Sequence, residues 1–287
     1  MSTPFYPVVW FYPDVVVTEV REGVWKLDDC AFCKRYADKA ALAREIRLCG
    51  HLADCGLPVP STIQTVDGLD WHAYKGSFYH LTTALPGSHI RYPLSEPERF
   101  GTLMAGALRR LQDALASYPH ATDYRRNDLC GELEGWVTEK FPGMDEVLAE
   151  IRATSDELRR LAPDLPRQLI HRDFHTGNIL FDGGRLTGLL DFELVREEFR
   201  VFDLAYLLGS TLGDNWRQPA YWQRFLRFAR AAFAAYAPTD AERRAAAPMM
   251  RAICFLFAAF WKEPAQIENM LALTHFLRAQ EEDIRSV

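Results

Sequence analysis

LIHRDFHTGNILFDGGRLTGLLDFE, residues 169–193, sets Asp173, Asn178 and Asp191 around a short apolar hairpin. NILF and RLTGLL are β-prone runs either side of the turn DGG. Carboxylate and carboxamide oxygens suit a hard divalent cation such as Mg2+, which takes one or two carboxylates and completes its shell with water and phosphate. Asn178 at the start of the hairpin and Asp191 at its end are expected to face each other across it, with Asp173 on the preceding loop free to accept a proton. A cation on phosphate oxygens and a carboxylate that orients a hydroxyl nucleophile are what phosphoryl transfer needs.

Upstream, VVVTEVREGVWKLDDCAFCKRY (15–36) holds three β-prone runs broken at Glu22-Gly23 and Asp28-Asp29, the pattern of an antiparallel meander. DKAALAREIRLCGHLADCG (38–56) predicts a helix capped by Asp38 and stopped at Gly56. Strands follow in 61–85, with turns at Asp67-Gly68 and Lys75-Gly76. Ser95 and Glu98 form a capping-box pattern ahead of a long amphipathic helix to about residue 117, and the remainder reads as helical apart from the hairpin. The expected fold is α+β and bilobal: a small antiparallel-sheet lobe with one helix over 1–85, and a larger, mainly helical lobe over 86–287.

On that framework HRDFHTGN (171–178) and LLDFE (189–193) resemble the catalytic loop and metal-binding segment of the protein-kinase-like superfamily, in particular its aminoglycoside phosphotransferase and choline kinase branch. His175 fits the H-x-D-x-H-x-x-N form of the branch, VFDLAYLLG (201–209) supplies its Asp-Leu-Ala, and Glu193 gives the DFE seen in choline kinases. Motif order matches from about residue 15 to 215. The resemblance implies a kinase with ATP, or GTP, as donor and Mg2+ as cofactor. Asp173 would be catalytic, Asn178 and Asp191 would hold the metal, and Lys34 would contact the α and β phosphates with Glu45 holding it in place. Glu45 lies on the stripe of Leu42, Cys49 and Leu52, where a carboxylate needs a partner, and Lys34 is the natural one. YHLTTALPG (79–87) resembles the interlobe hinge, so adenine would meet backbone at Thr83 and Leu85, with Leu180 and Leu190 near the base. His171 would support the loop and Asp203 would bond to its backbone. Arg172, at a position often Gly in aminoglycoside kinases, is given no substrate role.

The glycine-rich phosphate motif is reduced to Gly23, and only nine residues, Leu194 to Phe202, separate Glu193 from Asp203. Both features argue against a protein kinase, whose peptide platform needs a longer segment. A catalytically silent nucleotide-binding scaffold is the other alternative, although the metal, base and lysine positions are all filled.

Composition narrows the partner. The net charge of -6, without a block of Lys and Arg, disfavours nucleic acid and is compatible with small cationic substrates, while the resemblance implies a small-molecule hydroxyl acceptor. Pro4, Pro7, Pro13 and Asp14 break up the N-terminal stretch, which does not read as a signal peptide, and AICFLFAAFW (252–261) is too short to span a bilayer. A cytoplasmic protein without a membrane partner is therefore expected. Cys30, Cys33, Cys49 and Cys55 read as reduced thiols rather than a zinc site. Trp136, Trp216, Trp222 and Trp261 could cage a quaternary ammonium but are better explained as core, and nothing selects among aminoglycoside, choline, homoserine or sugar acceptors or sets the oligomeric state.

Overall fold

The computed structural model describes residues 7–10, 14–213, 215–261 and 263–287; Pro4 and Pro13 lie outside them. The chain divides into two units. One runs to Ser88 and also takes in Leu180–Glu193, and the other comprises His89–Ile179 and Leu194–Val287. Among the described residues no helix is long and apolar enough to cross a membrane.

In the first unit, strands β1 (Val17–Arg21), β2 (Val24–Leu27), β3 (Ala31–Tyr36), β4 (His72–Tyr74) and β5 (Ser77–Thr83) form an antiparallel sheet in the order β1-β2-β3-β5-β4. The turns fall where glycine permits a left-handed backbone, at Gly23 and at Lys75-Gly76. Register pairs Trp25 with Cys33 and Cys33 with Leu81, which puts them on one face with Leu27, Ala31 and Tyr79, packed with Trp10. Alternation sends Lys34 and Tyr36 to the opposite face. Helix α1 (Lys39–Asp54) begins at Asp38, whose carboxylate accepts from the Ala40 amide at 2.8 Å, and ends before Gly56, at φ 75°. The hairpin of β7 (Ile179–Asp182) and β8 (Arg185–Leu189) turns on Gly183 and Gly184, both at positive φ. Phe181 exchanges two backbone hydrogen bonds with Ser88, and the Leu189 amide bonds to Pro58.

In the second unit, helix α2 (Pro97–Ala116) packs along α6 (Pro219–Tyr236). Helix α7 (Asp240–Phe260) packs against α4 (Asp145–Leu161), α5 (Val201–Leu212), α8 (Pro264–Ala279) and α9 (Glu281–Ser286), with α3 (Leu129–Glu132) beside α4. Strands β6 (Arg167–Ile170) and β9 (Arg196–Phe199) pair antiparallel.

The capping box expected at Ser95 does not form. Helix α2 starts at Pro97, its N-cap is Glu96, and the Ser95 hydroxyl donates backwards to the Tyr92 carbonyl at 2.8 Å. Proline suits the first helical position but disfavours helical backbone at the residue before it, so the helix starts one residue too late for Ser95 to cap it.

Within α2, a Cβ at Gly101 would lie 2.5 Å from the Phe228 carbonyl oxygen of α6, whereas one at Gly106 would meet nothing within 4 Å. Gly101→Ala is therefore expected to destabilise the protein by about 1–3 kcal/mol, and Gly106→Ala to be neutral or slightly stabilising. Urea unfolding midpoints of the two variants check this, and equal midpoints would remove the helix contact as the reason for Gly101.

Candidate active site

In the first unit, Lys34 leaves the face of β3 that carries Tyr36, and its Nζ donates to Asp191 Oδ1 at 2.9 Å and pairs with Glu193 at 2.8 Å. Asp191 follows β8 at φ 62°, a left-handed conformation that Asp tolerates better than most residues. Its second oxygen accepts from Arg21 Nη2 at 2.9 Å. Burial works to raise the Asp191 pKa, but Lys34 and Arg21 outweigh it and hold the carboxyl at about 2. Asp191 is thus a firmly ionised carboxylate with a cation on each oxygen.

The direct Lys34–Glu45 ion pair suggested by the sequence is absent among the described residues. Asp191 and Glu193 take the ammonium instead, and Glu45 accepts from the Tyr36 hydroxyl at 3.0 Å. Lys34 still feels Glu45 as a charge: burial lowers the lysine pKa, while Glu45 and Asp191 raise it further, so the net shift is upward. Burial also raises the Glu45 carboxyl, against the lysine charge and the tyrosine hydrogen bond.

The hinge residues differ in what their backbones have left to offer. The Thr83 amide bonds to the Ser61 carbonyl at 2.9 Å. Leu85, two residues on, has no backbone hydrogen bond among the described residues. Leu180 is buried and covers Gly188, where an added Cβ would lie 2.8 Å from Leu180 Cδ1.

In the second unit, the loop after β6 carries Asp173. The Tyr206 hydroxyl donates to its Oδ1 at 2.6 Å, and Asn178 Nδ2 donates to its Oδ2 at 2.8 Å and to its carbonyl oxygen at 2.9 Å. His175 Nε2 stands 3.6 Å from Oδ1. Burial works to raise this carboxyl, but His175, Tyr206 and Asn178 outweigh it, and its pKa lies below the ordinary aspartate value. Both hydrogens of the Asn178 carboxamide are committed to Asp173, which leaves its Oδ1 without a donor among the described residues and open to a cation. Taken by itself, an oxygen so freed is the kind of ligand Mg2+ prefers, and so, in the first unit, is the ionised Asp191 carboxylate.

The loop itself hangs on Asp203, fully buried in α5. Its two oxygens accept from the His171 amide at 2.9 Å and the Arg172 amide at 2.7 Å, and Gln112 adds a third donor at 3.4 Å. Arg172 sits at φ 68°, a backbone state natural to glycine. Sequence reasoning gave no role to Tyr206 or Arg21 and marked Glu193 only as part of the DFE motif. Tyr206 lies one helical turn beyond Asp203, a spacing that could have pointed to the same loop. Arg21 left no local sign beyond its place beside the Glu22-Gly23 turn.

Trp216 and Trp222 are buried and share Phe276, whereas Trp136 and Trp261 are partly exposed. Glu132 pairs with Arg172, and Glu134 pairs with Arg159 and accepts from Ser155. An open pocket of about 630 Å³ lined by Glu134, Thr138, Glu139, Leu148, Arg152 and Asp156 shares no residue with the loop that carries Asp173.

The model of the phosphotransferase enzyme family matches residues 20–247. A homoserine kinase of Zymomonas mobilis subsp. mobilis is 31% identical over 210 residues, 70% of this chain and 62% of that protein, so this chain spans less than two thirds of that relative's length. An amicoumacin kinase in complex with AMP-PNP, Ca2+ and Ami superposes with a TM-score of 0.68 at 15% identity, covering 96% of this chain and 89% of that one. A choline/ethanolamine kinase family protein from Mesorhizobium loti gives 0.67 at 16% identity, covering 96% and 91%. The fold is protein-kinase-like.

Removal of the Asp203 carboxylate strands two buried loop amides. Asp203→Ala is expected to cost roughly 2–5 kcal/mol in denaturant unfolding and to speed amide exchange at His171 and Arg172. Unchanged exchange at both amides would show that Asp203 does not hold the loop.

Proposed function

Because the chain belongs to the phosphotransferase enzyme family, we propose that it moves the γ-phosphate of ATP to a hydroxyl of a small molecule. The observation that carries this reading is Asp173: a carboxylate below its ordinary pKa, held by Tyr206 and Asn178, on a loop pinned through its backbone. It accepts a hydrogen bond from the acceptor hydroxyl, orients the oxygen towards phosphorus and takes its proton as the bond forms. Lys34 binds the α and β phosphates, and Glu45 acts on it as a charge across the face of the sheet. A divalent cation, Mg2+ in this reading, would be held by Asn178 Oδ1 and Asp191 and would supply neutralisation of the phosphate oxygens. The neighbour bound to AMP-PNP and Ca2+ supports nucleotide and divalent-cation chemistry on this fold.

Adenine hydrogen-bonds to the free Leu85 backbone, with Thr83 beside it and Leu180 against the ring. In this assignment residues 1–85 serve the nucleotide and 86–287 carry the catalytic loop and the acceptor. The curated relative makes homoserine the first acceptor to test, ahead of aminoglycosides, choline and sugars. With ATP as donor, the compartment we assign is the cytoplasm. A protein substrate is disfavoured because β9 leads directly into α5, with Arg200 alone between them, which leaves no segment for a peptide platform.

ADP release with Mg-ATP across that panel tests the assignment. Asp173→Asn is expected to lower turnover by about 10²- to 10⁴-fold while nucleotide affinity is kept, and Asp191→Asn to weaken nucleotide binding in the presence of the metal. Normal turnover in Asp173→Asn would overturn the role given to that aspartate.

A further inference from the structure

Behind the catalytic loop three segments run side by side. Strand β9 pairs with β6, placing Arg196 opposite Ile170, two residues before Arg172. On its other edge β9 meets residues 125–127: the Glu197 amide bonds to the Arg125 carbonyl at 3.2 Å and the Asn127 amide to the Glu197 carbonyl at 2.8 Å. Arg125, Arg172 and Arg196 thereby come from three stretches of chain to one region of the second unit.

Other arginines here have partners. Arg167 pairs with Glu198 at 3.2 Å and lies over the Phe199 ring, and Arg126 pairs with Glu197 at 3.5 Å. Arg172 pairs with Glu132, which also accepts from Asn127. Arg196 is different: half-buried, its side chain makes no hydrogen bond or ion pair among the described residues, and its Nε is shut off from solvent without an acceptor. The Arg172 Nε is likewise buried without one, and the exposed Arg125 side chain has no ion pair among the described residues. Burial, then Arg172 and Arg125, hold the Arg196 pKa below the ordinary arginine value, with Glu132 opposing them.

In these segments Arg126, Arg167 and Arg172 pair with Glu197, Glu198 and Glu132, which leaves Arg125 and Arg196 without a carboxylate of their own among the described residues and, in a protein of net charge -6, a local positive excess. Buried N–H groups without acceptors are costly, and guanidinium forks match the oxygens of phosphate. We infer that Arg125, Arg172 and Arg196 form a second anion site, separate from the nucleotide phosphates, that takes a tetrahedral oxyanion: inorganic phosphate or the phosphate group of a small monoester. Its Arg172 is adjacent in sequence to Asp173, so occupancy bears on the same loop that Asp203 pins.

Calorimetric titration of the full chain with inorganic phosphate and with O-phosphoserine, in a chloride buffer of constant ionic strength, tests the site. One binding event is expected, weakened about tenfold or more in Arg196→Gln, weakened also in Arg125→Gln, and retained in Lys34→Met. The tighter of the two anions identifies the source. Binding lost in Lys34→Met but kept in Arg196→Gln would place the anion at the nucleotide position and overturn the proposal, as would no binding of either anion up to about 10 mM. Thermal melting separates a ligand site from a structural role. Without phosphate, Arg196→Gln should melt no lower than the parent chain, because it removes a charge that has no counterion. A markedly lower melting temperature would mean that Arg196 already has a partner, and the site would fall.

Discussion

The second unit depends on one buried carboxylate. Asp203 is wholly removed from solvent, and its stability there comes from the two loop amides and the glutamine that donate to it. The same bonds fix the backbone of His171 and Arg172 and so the direction in which Asp173 leaves the loop. A buried acid with few donors would be a liability; with these donors it becomes the post on which the loop is hung. Gln112 extends the arrangement by accepting from Tyr236 and donating to the Arg200 carbonyl, and Arg200 forks onto the buried Glu242 that caps α7. The orientation of Asp173 is therefore continuous with the helical core.

In the first unit the governing constraint is charge balance. Lys34, Arg21, Asp191, Glu193 and Glu45 form a cluster of two cations and three carboxylates on the face of the sheet opposite the Trp10 and Trp25 cluster. Each ion is tolerable because of the others, and a bound metal and triphosphate would enter the same balance as further charges of both signs.

Local features were legible in the sequence. Asp38 caps α1 because an Asx side chain reaches amides two residues away, and Gly183-Gly184 closes its hairpin because nothing else adopts that backbone so readily. Legibility failed where a neighbour overrode the pattern. Pro97 displaced the helix start that Ser95 would have capped, and Asp191 and Glu193 took the ammonium that Glu45 was expected to hold. Tyr206 needed knowledge of which way α5 faces. The arginines around Arg196 needed the alignment of three segments far apart in the chain, which no local periodicity records.

The assignment of Leu180–Glu193 to the first unit shapes how this chain acquires its structure during synthesis. Lys34 and Asp191 are 157 residues apart, so the sheet emerges from the ribosome long before the separate two-stranded hairpin of the same unit. Until about residue 193 has been made, the ammonium of Lys34 lacks both carboxylates that pair with it, and Pro58 and Ser88 lack their hairpin partners. Strands β1–β5 lie within residues 17–83 and can pair without the hairpin, but the N-terminal unit stays incomplete until then. Its completion waits on a segment embedded in the later half of the chain, and loop closure over that distance places its maturation late in folding.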